Sequence, residues 1–117
     1  MSLFRKARAL VLGIVIAWSF CANSVFAEVL TRVEAVRICM MNNAAFPNDQ
    51  IPTIVEGRTY YGCCPMCAEK LKSDPALRRA VDPVSGKEVD KALAVIGVDS
   101  KGKAHYFENE NNLKRFP

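Results

Sequence analysis

Apolar and polar residues alternate in two stretches of the chain, and each alternation predicts a β-hairpin. In TIVEGRTYYG, residues 53–62, two β-rich arms flank Glu56-Gly57, where glycine supplies the positive φ of a tight turn. In ALAVIGVDSKGKAHYFE, residues 92–108, a buried-type apolar strand, the turn DSKGK and a second strand follow one another. The chain is therefore expected to build two short antiparallel strand pairs.

Apolar residues at helical spacing predict a short helix after each hairpin. The first is PMCAEKLKS, residues 65–73, in which proline suits the first turn and a following Asp-Pro pair ends the helix. The second is NENNLKRF, residues 109–116. Residues 75–81 predict a further helical turn or two, and residues 28–38 suit a short helix or an irregular lead-in. Hairpins and helices in this order predict an α+β fold.

The N-terminal 27 residues read as a secretory signal peptide and are excluded from the fold. A basic region is followed by the uncharged apolar run Leu10–Phe20, and Val25 and Ala27 occupy the −3 and −1 positions of a cleavage site. We therefore expect a secreted or periplasmic protein cleaved after Ala27, with no membrane span in the mature chain. The alternatives are an uncleaved anchor and a lipoprotein signal built on Cys21, although the residues before Cys21 are large for a lipobox.

Removing this leader changes the charge balance. Of 16 Lys and Arg residues, three lie in the leader, which leaves 13 against 12 Asp and Glu, a net charge of +1 instead of +4. The mature chain has no polybasic run, so nucleic-acid binding has no electrostatic support. The scattered basic residues are most simply a solvated face: Arg78, Arg79, Lys87 and Lys91.

The two halves of the mature chain resemble each other as an internal repeat of about 38–40 residues, with chance similarity as the alternative. In both, a turn is followed by a strand, a turn, a strand and a helix. ICMMN faces PVSGK, and TIVEGRTYYGCC faces AVIGVDSKGKAHYFEN. This pairing places Ser85 opposite Cys39, Glu108 opposite Cys63 and Asn112 opposite Cys67. The second copy is expected to keep the frame without the thiols.

Four cysteines of the mature chain are the candidate chemistry. Thiolates favour soft ions such as Zn²⁺ and Cu⁺, and a tetrahedral site draws its ligands from two local knuckles. Cys39 lies in the first turn, and the other thiols lie where a hairpin meets a helix N-terminus, whose dipole is expected to lower their pKa. Neighbouring side chains diverge, so the predicted ligands are Cys39, Cys63 and Cys67. Cys64 is a fourth ligand, an exchange thiol or a packed bystander.

Other interpretations of the same residues stay open. The thiols could form structural disulfides that bond Cys39 into the later cluster, or a C-x-x-C redox site, although that site is typical of a βαβ context. Met40 and Met66 are secondary candidates because thioethers bind Cu⁺, but methionines also fill gaps in a small core. His105 is a further secondary candidate, and its location on a strand of the thiol-free half favours an ordinary strand residue.

The stretch YYGCCPMCAEKLKSDP resembles the TRASH/YHS group of small metal-binding domains. The resemblance is carried by an aromatic pair, two cysteines, an aliphatic anchor and an Asp-Pro pair: Tyr60-Tyr61, Cys63, Cys67, Leu71 and Asp74-Pro75. The upstream cysteine of that group corresponds to Cys39. DPVSGKEV and the later HYF and NNLKRF resemble the YHS form without its cysteines. The resemblance implies two treble-clef-like or zinc-ribbon-like hairpin-plus-helix units and binding of a transition or heavy metal.

The sequence thus predicts a lead-in over residues 28–37, a TRASH-like metal-binding unit over 38–80 and a degenerate YHS-like unit over 81–117. The expected function is non-enzymatic trafficking, sequestration or resistance involving one copper or zinc ion, as in a metallochaperone. Its partner would be an exported or membrane metal transporter or a metalloprotein. The alternative is a structural-zinc or disulfide-stapled protein–protein interaction module. An enzyme is not expected, because a cysteine nucleophile needs a general base, and His105 lies in the other half.

Overall fold

A computed structural model describes residues 29–117 of the chain. The predicted signal peptide and its cleavage site lie outside the described residues. Nine short strands lie in the described part: β1 Thr31–Arg32, β2 Ile38–Cys39, β3 Ala44–Ala45, β4 Ile51–Val55, β5 Arg58–Gly62, β6 Arg79–Val81, β7 Glu88–Asp90, β8 Val95–Val98 and β9 Ala104–Phe107. The helices are α1 Pro65–Ser73 and α2 Glu110–Lys114, with 3₁₀ turns at Ala35–Arg37 and Pro75–Arg78. The predicted α+β class is confirmed.

Both predicted hairpins form. β4 pairs antiparallel with β5, and β8 with β9. The first hairpin turns at Glu56 and Gly57, whose φ values of 51° and 78° are both positive. Such a two-residue turn with positive φ matches the right-handed twist of the flanking strands, so the predicted turn at Glu56-Gly57 is confirmed.

Helix α1 occupies the predicted residues. Its N-cap is Cys64, and Pro65 is the first residue of the helix. At the C-terminal end, the backbone N–H of Asp74 donates a hydrogen bond to the Lys70 carbonyl. Ala68 and Leu71 are its buried residues, so one face of the helix packs on the hairpin. The prediction of helix over residues 75–81 is only half right, because the 3₁₀ turn Pro75–Arg78 passes directly into strand β6.

Two tight strand pairs of the same register precede the two hairpins. We call residues 38–45 the first knuckle and residues 81–88 the second knuckle. In the first, Ile38 pairs with Ala45, and in the second Val81 pairs with Glu88. Each knuckle has positive φ at its sixth residue, Asn43 at 57° and Gly86 at 74°. This register places Asp82 in the position of Cys39, so the sequence pairing of Ser85 with Cys39 is wrong by three residues.

The two halves share one core. Its buried members come from both halves: Ile38, Met40, Tyr60 and Leu71 from the first, and Ile96, Val98, Ala104 and Tyr106 from the second. The predicted lead-in also joins the second half, because β1 pairs with β8 and completes a three-stranded sheet.

Backbone contacts tie the first knuckle to the second hairpin. Ala44 forms a bridge with Lys103, and Ala104 N–H donates to the Asn43 carbonyl at 2.8 Å. On its other side, Met40 N–H donates to the Tyr61 carbonyl at 2.8 Å. The first knuckle therefore lies between the two hairpins, which fixes Cys39 relative to the start of α1. Among residues 29–117, no helix has both the length and the apolar character that a membrane crossing needs.

Candidate metal centre

Three of the four cysteines that were candidate metal ligands have their sulfur atoms close together. Cys39 ends β2 and is fully buried, Cys63 follows β5 and is exposed, and Cys67 lies in the first turn of α1. Their sulfur atoms all lie within 4.8 Å of one another, and we call these three residues the thiol centre. Cys63 Sγ and Cys67 Sγ are 3.6 Å apart. A tetrahedral zinc with Zn–S bonds of about 2.3 Å separates its sulfurs by about 3.8 Å, so the thiols fit a soft ion.

The backbone holds Cys39 in a ligand-like position. Cys63 N–H donates to Cys39 Sγ at 3.2 Å, and backbone hydrogen bonding from Met41 and Asn42 lowers the pKa of the Cys39 thiol. These three donors come from two separate parts of the chain. They stabilise negative charge on the sulfur, which is the form that binds a metal.

Gly62 allows the helix to begin close to the hairpin. A Cβ at this position would lie 2.8 Å from Ala68 N and 2.9 Å from Cys67 Cβ, and real Cβ contacts essentially never reach such distances. Because the contacted atoms belong to backbone and to the first side-chain carbon, the helix start would have to shift. The missing side chain of Gly62 therefore sets the position of the Cys67 thiol.

We expect Gly62→Ala to displace the start of α1 and to weaken metal binding about tenfold, with a loss of about 1–2 kcal/mol in the free energy of unfolding, as in overpacked cores. Competition with a chelator of known affinity and urea unfolding measure the two effects. Ser73→Ala, at the exposed far end of α1, is the matched control. Equal metal affinity in both variants would contradict the role assigned to Gly62.

Cys64 has a different structural role from Cys63 and Cys67. It is the N-cap of α1, and its Sγ accepts a hydrogen bond from Cys67 N–H at 3.4 Å. Its sulfur lies 3.2 Å from Cys67 Sγ, yet Cys64 does not belong to the thiol centre. The four cysteines are free thiols in the structure. Whether Cys64 becomes a fourth ligand or an exchange thiol stays a prediction.

The thiols fall into two groups by pKa. Burial would raise the pKa of Cys39, but the hydrogen bonds from Asn42 and Met41 outweigh it and the pKa is lowered. The hydrogen bond with Cys67 lowers the pKa of Cys64, and the same contact raises the pKa of Cys67 to about 12. The hydrogen bond with Cys39 raises the pKa of Cys63. The expectation that the helix terminus lowers the pKa of all three later thiols is therefore wrong for Cys63 and Cys67.

A buried cation from the second half lies beside the thiol centre. Lys91 is 4% exposed, and its ammonium donates to the Met40 carbonyl at 2.7 Å and to Asn43 Oδ1 at 2.9 Å. Desolvation lowers its pKa to about 8, while the nearby Cys39 acts in the opposite direction. The prediction that Lys91 belongs to a solvated face is wrong. The sequence carries no local signal for this burial, because the contacts join residues about 50 positions apart.

The secondary candidates lie in three different environments. Met40 is fully buried in the core, whereas Met66 is 68% exposed on α1. His105 Nε2 lies 3.0 Å from Asp99 Oδ2, and the imidazole packs on the Phe116 ring at 5.0 Å. In the part of the chain that the structure describes, the thiol centre is the one group of three or more Cys, His, Asp or Glu side chains that could hold an ion, and His105 is not in it.

The arrangement could hold one metal ion. Three sulfurs from two parts of the chain converge, one buried and two accessible. In comparisons with protein families, curated proteins and solved structures, nothing matches this chain. The class that fold and site define is therefore a small α+β protein with a cluster of three cysteines that could hold a metal ion.

Proposed function

We propose that this protein binds one soft transition-metal ion, copper or zinc, through Cys39, Cys63 and Cys67 and acts in metal trafficking, sequestration or resistance. The observation that supports the proposal is the convergence of three thiols within 4.8 Å. Sulfur ligands select soft ions over Mg²⁺ and Ca²⁺. The proposed role is non-enzymatic, and the three thiols supply binding alone.

Accessibility favours an exchangeable ion over a permanently enclosed one. Cys63 is exposed and Cys67 is half-buried, so a ligand from another molecule can approach the ion. Three protein sulfurs also leave one position of a tetrahedral ion for such a ligand. This supports a role in which the ion passes to or from an exported or membrane transporter or a metalloprotein, outside the cytoplasm.

We also propose that the two halves are TRASH/YHS-like units. The support comes from the repeated order of knuckle, hairpin and helix and from the equal register of the two knuckles. The export of the chain is proposed on the leader sequence alone.

The direct test is to purify the leaderless chain under reducing conditions, count free thiols and measure bound metal by mass. The proposal predicts one ion per chain that a competing chelator removes while the chain stays folded. A chain that holds no copper or zinc after incubation with either ion, with its thiols free, would overturn the proposal.

A second candidate is a disulfide-stapled or structural-zinc interaction module. It is favoured by the 3.2 Å contact between Cys64 Sγ and Cys67 Sγ, since a small sulfur movement would allow a bond of about 2.05 Å. The same thiol count and metal measurement, made on a second preparation purified without reductant, separate the candidates. Loss of free thiols without metal indicates the staple, and a zinc ion that leaves only on unfolding indicates the structural module.

Metal affinity is expected to rise with pH. Cys67, with a pKa of about 12, and Cys63, with a raised pKa, both hold protons near neutral pH and must release them to bind an ion. Each displaced proton contributes about tenfold in affinity per pH unit, so two give about hundredfold. Chelator competition at pH 6, 7 and 8 measures the slope. A pH-independent affinity would show that these thiols do not both bind.

A further inference from the structure

The second knuckle reproduces the bonding of the first with a carboxylate in place of a thiol. Asp82 Oδ1 accepts hydrogen bonds from Val84 N–H at 2.7 Å and Ser85 N–H at 3.2 Å. Backbone hydrogen bonding from the residues at the same two offsets from Cys39, Met41 and Asn42, lowers the pKa of that thiol. The backbone at equivalent positions therefore orients a thiol in the first knuckle and a carboxylate in the second.

The link from knuckle to helix is also repeated. Glu108 N–H donates to Asp82 Oδ2 at 2.8 Å, just as Cys63 N–H donates to Cys39 Sγ at 3.2 Å. The sequence pairing of Glu108 with Cys63 agrees with this equivalence. In each half, the backbone N–H that follows the hairpin thus donates to the thiol or carboxylate of the knuckle in the same half.

The two helices begin alike. Asn109 is the N-cap of α2, and its side chain accepts from Asn112 N–H at 2.8 Å, as Cys64 accepts from Cys67 N–H in α1. Asn112 therefore occupies the position of the ligand Cys67.

In the second half a hydrogen bond takes the place that an ion would take in the first. Asn112 Nδ2 donates to Asp82 Oδ2 at 2.9 Å, and so joins the helix directly to the knuckle. Asp82 is fully buried and Asn112 is 8% exposed. We call Asp82, Glu108 and Asn112 the carboxylate centre.

The carboxylate centre is complete without an ion. Two backbone donors reach Oδ1, and one backbone and one amide donor reach Oδ2. Burial would raise the pKa of Asp82, but these hydrogen bonds outweigh it and lower the pKa. A buried carboxylate with several donors is stabilised in its charged form. An amide in its place keeps one acceptor oxygen, but the donors that face its NH₂ group lose their acceptor.

We infer that the carboxylate centre is the metal-independent counterpart of the thiol centre and keeps the shared core folded when no ion is bound. The shared core contains residues of the first knuckle, of α1 and of the second hairpin, and α2 contacts both strands of that hairpin. A permanent join between α2 and the second knuckle therefore holds the hairpin against which the first half packs. The thiol centre can then lose and regain its ion in the folded chain. This last consequence rests on the proposed function, whereas the structural role of Asp82 does not.

The test compares urea unfolding of the metal-free chain, in chelator and reductant, for wild type and Asp82→Asn. The substitution keeps the shape of the Asp82 side chain, but it places an NH₂ group opposite the N–H donors of one carboxylate oxygen. We expect it to lower the urea midpoint by about 1 M, given slopes of about 1–3 kcal/mol/M for small proteins. Asp49→Asn is the matched control, because the Asp49 side chain is 70% exposed and pairs with Arg37 Nε at 3.0 Å on the surface. A midpoint for Asp82→Asn equal to that of the control would overturn the inference.

If Asp82→Asn does not fold, a second variant tests the same inference. Asn112→Ala removes the bond from helix to knuckle and leaves the backbone donors of Asp82 in place. We expect a smaller fall in the midpoint of the metal-free chain, about half that of Asp82→Asn, and no change overturns the inference. A metal-free wild type without a cooperative transition also overturns it. None of these outcomes depends on metal binding, so they differ from a failure to take up copper or zinc, which overturns the proposed function alone.

Discussion

Replacing Cys39 by serine is expected to weaken soft-metal binding by at least a hundredfold while the chain stays folded. The Cys39 sulfur lies within 4.8 Å of those of Cys63 and Cys67, and it comes from the first knuckle, whereas the other two lie at the junction of β5 and α1. A hydroxyl is a poor ligand for a soft ion and does not ionise near neutral pH. Outer-shell changes already cost about 10- to 100-fold in metal affinity, so loss of a ligand should cost more.

Cys64→Ser is the matched control for this prediction. Cys64 caps α1 and lies outside the thiol centre, and serine is a good N-cap, so the helix should keep its start. Chelator competition should place the affinity of Cys64→Ser within about tenfold of wild type. Urea unfolding of each metal-free variant separates lost ligation from lost structure. Unchanged affinity in Cys39→Ser would remove Cys39 from the ligand set.

Local signals in the sequence were enough to predict the elements that carry the thiols. Helix α1 follows from a proline at its first position and an Asp-Pro pair at its end, and the hairpin of β4 and β5 follows from alternation around Glu56-Gly57. These features act within a few residues of one another. The proximity of Cys39 to the later thiols was predicted from metal-ligand chemistry, and the structure brings Cys39, Cys63 and Cys67 together.

Features set by distant contacts were not predictable from local pattern. Residues 79–81 have a composition that also suits a helix, and they form a strand because β7 pairs with them. The counterpart of Cys39 is Asp82 and not Ser85, because the position is defined by register and by backbone donors instead of by side-chain similarity. Lys91 is a further case, since a lysine is rarely buried and only the folded chain supplies its acceptors.

Replacing Lys91 by methionine is expected to lower the free energy of unfolding of the metal-free chain by about 2–4 kcal/mol. The ammonium joins the second half to the first knuckle through the Met40 carbonyl and Asn43 Oδ1, and it lies 5.2 Å from the centre of the Tyr106 ring. Methionine keeps most of the volume but cannot donate, so these acceptors lose a charged partner in a dry environment. Asn43 Oδ1 keeps its bond from Tyr106 Oη, which limits the loss.

Lys87→Met is the control, because Lys87 is exposed and its loss tests the effect of a removed positive charge alone. Urea unfolding at two salt concentrations distinguishes a buried bond from surface electrostatics, since screening weakens only the latter strongly. We expect the Lys91→Met deficit to be the same at both concentrations. We also expect weaker metal binding in Lys91→Met, because Met40 follows Cys39 directly and its carbonyl is held by the ammonium. A Lys91→Met chain as stable as Lys87→Met would show that the buried ammonium makes no net contribution to the free energy of unfolding.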